Sequence, residues 1–98
     1  MEVYTVLLHN WETGQFSTTV DVRDFYDFDL IDDGRPVYVF EDSDIAHTKQ
    51  WEWSRREAAP KCAMLFVGEV DKADFVYASE FIGGCDCYSK IKNLKRVF

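Results

Sequence analysis

The chain has no apolar run approaching the roughly 20 residues that cross a membrane, and Met1-Glu2-Val3-Tyr4 lacks the basic start of a signal peptide. A cytoplasmic protein is expected, in a bacterial host if the gene is carried by a phage. Its three cysteines, Cys62, Cys85 and Cys87, are odd in number and two stand one residue apart, a poor basis for a disulfide framework. With two prolines and five glycines the chain shows no linker, repeat or low-complexity segment, and 98 residues predict a single domain over 1–98. No phosphate-cradling loop is present, since Gly83-Gly84 is not followed by Lys and Ser or Thr. A basic surplus is missing too. A net charge of -7 is repelled by phosphate, which dominates nucleic-acid affinity, so direct nucleic-acid binding is disfavoured.

Metal and nucleophile patterns are equally thin. Cys85-Asp86-Cys87 is C-x-C, and no second cysteine pair closes a tetrahedral site. A structural zinc would need Cys62, Cys85, Cys87 and either His9 or His47 to converge. Otherwise Cys62 is a core residue and the other two are incidental thiols beside a Gly-Gly turn. His9 ends a strand and His47 lies early in a helix, and both are read as solvated. No metal, cofactor or catalytic residue is assigned. A small carboxylate-dependent hydrolase needs two to four acids converging in a cleft. Asp27 and Asp29 share a face if that stretch is extended, but so short a chain leaves little room for a deep pocket.

What is present is a core-forming composition, 47% hydrophobic and 16% aromatic, far from the disordered regime. Glu2–His9 reads as a central strand because both alternating sets are apolar. Asn10–Gly14 is a turn, and Gln15–Val22 the return strand of a hairpin. Arg23–Ile31 fits helix, strand or loop. Arg35–Glu41 is a short strand with Pro36 at its start. Asp42, Ser43 and Asp44 are N-cap candidates for a helix over Ile45–Ala59, stopped by Pro60. Cys62–Val70 and Phe75–Ile82 read as strands, with a turn at Asp71–Asp74. Tyr88–Phe98 reads as a short basic helix or tail. The fold class is α+β: an antiparallel sheet of four or five strands, with one main helix (about 45–59) packed on one face.

Charge is concentrated in one segment. Between Asp21 and Asp44 stand nine acids against two bases, Arg23 and Arg35, which is the whole net charge of -7. Aromatics interleave with these acids. A core-facing aromatic stripe with a solvated acid face would give this alternation. So would a surface for a basic partner: residues two apart on a strand are about 6.6 Å apart, comparable to phosphates along a nucleic-acid strand. The partner-binding candidates are Asp24, Tyr26, Asp27, Asp29, Asp32, Asp33, Glu41, Asp42, Asp44 and Trp53. Trp53 joins them because Trp51-Glu52-Trp53 places two indoles about 200° apart on a helix. Ile45, Thr48, Trp51 and Ala58 share one side, and Ala46, Gln50, Trp53 and Glu57 the other. Trp51 is expected inside. Trp53 is expected outside, as an interface residue or lying over Arg56 or Lys49.

These features imply a non-catalytic protein that binds and blocks a basic, nucleic-acid-handling protein or complex by nucleic-acid mimicry. Small size, acidity and the want of a cofactor motif are the habit of phage-encoded anti-CRISPR and antirestriction inhibitors, an analogy of kind carrying no residue roles. Homodimerisation is compatible with the exposed indole. A small oligomeric ligand- or metal-binding protein is the alternative, to be marked by an apolar pocket or subunit groove. A hydrolase would be marked by converging acids of raised pKa.

Overall fold

The computed structural model describes residues 1–18, 24–25, 30–32 and 35–97. In chain order the elements are β1 (Glu2–Asn10), β2 (Phe16–Thr18), β3 (Asp24–Phe25), β4 (Leu30–Ile31), β5 (Val37–Phe40), α1 (Ser43–Arg56), β6 (Lys61–Glu69), a 3-10 turn at Lys72–Asp74, β7 (Phe75–Ala78), β8 (Cys85–Tyr88) and β9 (Ile91–Arg96). All strand pairs are antiparallel.

The fold is α+β, with one helix on an antiparallel sheet, as expected. The sheet is larger than the four or five strands expected. Its continuous order is β4-β9-β6-β1-β5-β8-β7, with β2 added on β1 and β3 on β2. β1 is central because both of its faces are apolar. One edge pairs with β6 from Glu2 to Asn10, and the other is shared between β5 (Tyr4 opposite Phe40) and β2 (Leu7–His9). Beside the single β1–β5 register pair, the buried Thr5 hydroxyl donates to the Tyr38 carbonyl at 2.8 Å. The β1–β2 hairpin closes through Asn10, whose Oδ1 accepts from the Glu12 and Thr13 amides. Gly14 takes a φ of +78°, which suits glycine.

The extra strands were hidden for physical reasons. β9 replaces the expected C-terminal helix or tail. Ile91 and Leu94, three apart as on a helix face, are both buried. A regular strand would send them to opposite faces. Asn93 takes a left-handed φ of 55°, and the register of β6 against β9 shifts between Val67 and Glu69, so both side chains turn inward. The Asn93 amide donates to Glu69 Oε2 at 2.8 Å, fastening this irregularity. β8 is short and carries the two cysteines. β3 and β4 are two residues each, too short for any periodicity.

The sheet separates two cores. Under α1 lie Val6, Leu8, Phe40, Ala63, Leu65 and Cys85, with Ala46 from the helix. On the opposite face lie Val3, Leu7, Val37, Val39, Ile31 and Ile91, with Phe66, Tyr88 and Leu94. Each fully buried aliphatic side chain contributes about 1.5–3 kcal/mol. The helix runs 43–56 rather than 45–59. It buries Ala46 and Gln50, and the Gln50 amide donates to the Ala63 carbonyl at 2.9 Å. Among the described residues no helix is long and apolar enough to cross a membrane.

Candidate functional site

The acids of 21–44 divide by position. β5 ends on the fully buried Phe40, and the chain then turns into α1 through Glu41 and Asp42. Asp42 is the N-cap: its Oδ1 accepts from the Asp44 amide at 2.8 Å and the Ile45 amide at 3.2 Å. Glu41, Asp42 and Asp44 therefore gather at one helix end, all exposed, where carboxylates complement the helix dipole. Asp32, also exposed, follows β4 at the end of the strand order. Asp24 is in β3, in register with Ser17. Tyr26, Asp27, Asp29 and Asp33 lie outside the described residues. The basic segment at the C-terminus is placed beside the acidic one. In β9, Lys92 stands opposite Leu30 of β4, and its ammonium is 3.9 Å from Asp71.

The two helix indoles exchange the places expected for them. Trp53 is half-buried against the core under α1, its ring 6.2 Å from that of Phe40. Trp51 is 57% exposed, with the Arg55 guanidinium 4.7 Å from its ring centroid. The cation–π contact thus belongs to Trp51, one helical turn from Arg55. The small Ala46 lets the helix approach the sheet, and Gln50 reaches a strand carbonyl. The less apolar-looking side of the helix is the one that packs.

The cysteines also differ from expectation. Cys85 and Cys87 are the buried pair, on β8, while Cys62 is only half-buried. Burial pushes the Cys85 thiol up to about 12, with Cys87 and Asp86 adding to it, and burial likewise raises Cys87. The Tyr38 and Tyr77 hydroxyls meet at 3.2 Å, clasping β5 to β7 across β8. Tyr77 is held above the usual phenol range first by this bond and then by the Cys87 thiol. His9 is half-buried rather than freely solvated: its ring stacks on Phe16 at 4.4 Å and its Nδ1 is shut off from solvent. Among the described residues no three His, Cys, Asp or Glu side chains converge as a metal centre would require.

One surface escapes sequence reasoning. β7 ends the strand order, and its Phe75, Val76 and Tyr77 are each nearly half exposed. The turn that follows carries Phe81, 97% exposed. Phe81 stands between two clefts. One, of about 240 Å³, lies toward Tyr38 and Tyr77; the other, of about 390 Å³, lies toward Trp53 and Arg56 of α1. The only hint in the sequence is an aromatic beside the Gly83-Gly84 break.

Comparison of the chain with protein-family models, with curated proteins and with solved structures finds no match.

Proposed function

We propose that this chain is a non-catalytic binding protein whose acidic segment, 21–44, engages a basic protein surface. In this reading the partner is a nucleic-acid-handling protein or complex. The acids occupy the groove that its lysines and arginines offer to phosphates, as in phage-encoded inhibitors that mimic nucleic acid.

The observation that supports this reading is how the segment divides where it is described. Ile31, Val37, Val39 and Phe40 are buried while Leu30 is exposed, and the acids Asp32, Glu41, Asp42 and Asp44 are all exposed. Acids borne on a packed scaffold need little ordering on binding, which lowers the entropic cost. Concentrated negative charge also steers a basic partner, raising the association rate at low salt.

The test removes charge and keeps shape. Asp27, Asp29, Asp32 and Asp33 are changed to Asn, with Glu41→Gln and Asp44→Asn. Asp42→Asn completes the set, since Asn also caps a helix. Partner capture should be lost while circular dichroism stays unchanged. Equal capture by the neutral variant at matched salt would overturn the reading.

A further inference from the structure

The pairing of β1 with β6 gathers donors from two distant parts of the sequence. His9 stands opposite Cys62 in register, and Met64 lies two residues further along β6, opposite Leu7. Alternation along each strand puts all three on one face of the sheet, the face of Val3, Leu7 and Phe66, where Met64 packs against the core. Residues directly opposite on antiparallel strands have Cβ atoms about 4.5–5.5 Å apart, and diagonal neighbours about 7–8 Å, within reach of long side chains. Met64 is unbranched and flexible, so its thioether can cover that diagonal. An imidazole, a thiol and a thioether thus meet next to the Asn10–Lys61 end of the ladder.

The imidazole has an unmet need. His9 Nδ1 is shut off from water and has no hydrogen-bond partner among the described residues. Buried polar atoms are almost always partnered, so an orphaned imidazole nitrogen beside a thiol is a candidate metal ligand. Phe16 shields the group. Its ring stacks on His9 with centroids 4.4 Å apart and meets Phe66 edge-on at 5.7 Å. Cys62 is a free thiol, half-buried like His9 and Met64, so the three donors are sheltered and still reachable.

The chemistry of the donors selects the ion. Zinc takes three or four ligands from His, Cys, Asp and Glu, and among the described residues no three of these converge. Thiolate and thioether donors are soft and select Cu(I), and imidazole suits copper as well. We propose that His9 Nδ1, Cys62 Sγ and Met64 Sδ form a site for Cu(I). As the ion binds, Cys62 gives up its thiol proton to solvent, so one positive charge replaces another and the site stays neutral. The aromatic cover of Phe16 limits access of water to the ion. The site uses no residue of the acidic segment, so metal binding and partner binding are separable.

Anaerobic titration of the full chain against the coloured Cu(I)–bicinchoninate complex tests this, with circular dichroism to show that each variant is folded. The wild type should withdraw one equivalent of Cu(I) per chain, and Cys62→Ser should withdraw none. Met64→Leu and His9→Phe nearly conserve volume. Each should raise the dissociation constant at least about tenfold, no less than the loss of an outer-shell partner costs a metal site. Cu(I) should also raise the thermal midpoint of the wild type, as a ligand of the folded state does, and leave that of Cys62→Ser unchanged. A wild type that withdraws no Cu(I), withdrawal that survives Cys62→Ser, or wild-type affinity in Met64→Leu would each overturn the proposal.

Discussion

The side chain of Ile91 fills the place where a Cβ on Gly68 would stand, with its Cγ1 and Cδ1 each 2.8 Å from that position. Leu94 Cδ2 is 3.1 Å away, and Ile91 is fully buried, so neither side chain has open space to move into. Gly68→Ala should cost about 1–3 kcal/mol by overpacking. Ile91→Val in the same chain removes Cδ1 and should recover part of that loss. Urea unfolding of the single and double variants measures both.

Trp53 and Trp51 should separate sharply in stability. Trp53→Ala removes a ring packed near Phe40 and should cost about 2–4 kcal/mol. Trp51→Ala loses an exposed contact with Arg55 and should cost no more than about 1 kcal/mol. Denaturant midpoints at constant m-value report the difference.

Asp42 has two roles that substitution can divide. Asp42→Ala removes the acceptor for two helix amides and should cost about 1 kcal/mol. Asp42→Asn keeps a capping oxygen and loses only the charge, so its thermal stability should stay near wild type. Comparable losses in the two variants would show that charge, rather than capping, holds the helix end.

The buried thiols set the alkaline limit. Cys85 is raised to about 12 from an ordinary value of 9.0, chiefly by burial. Folding therefore favours the neutral thiol. That contribution is fully present below pH 9 and is lost as pH rises towards 12. Cys87, Tyr77 and Tyr88 shift the same way. Thermal midpoints should fall over that window and less steeply in Cys85→Ala, and alkylation at mildly alkaline pH should label Cys62 before Cys85 or Cys87.

The parts of the fold legible in the sequence are those where one strong pattern acts alone. β1 shows as central because both alternating sets are apolar, and α1 shows through the cap at Asp42 and the stop before Pro60. β9 does not, because the left-handed Asn93 gives Ile91 and Leu94 a helical spacing. The buried side of α1 is misread because Gln50 looks polar until its bond to the Ala63 carbonyl is known. At the candidate site, the outward placing of Asp32, Glu41, Asp42 and Asp44 follows from the cost of burying charge. The outward placing of Phe81 does not follow from any residue pattern. It comes from a hydrogen-bonded turn that commits Ile82 to the core instead.

Competition for a captured partner tests the acidic-surface reading most directly. A protein retained by the wild-type chain is purified, and its binding to a labelled nucleic-acid duplex is followed by fluorescence anisotropy as either the wild type or the charge-neutral variant is added. The wild type should displace the duplex, with an inhibition constant that rises steeply with salt, and the neutral variant should not. A retained protein that binds no nucleic acid, or equal displacement by the neutral variant, would contradict it.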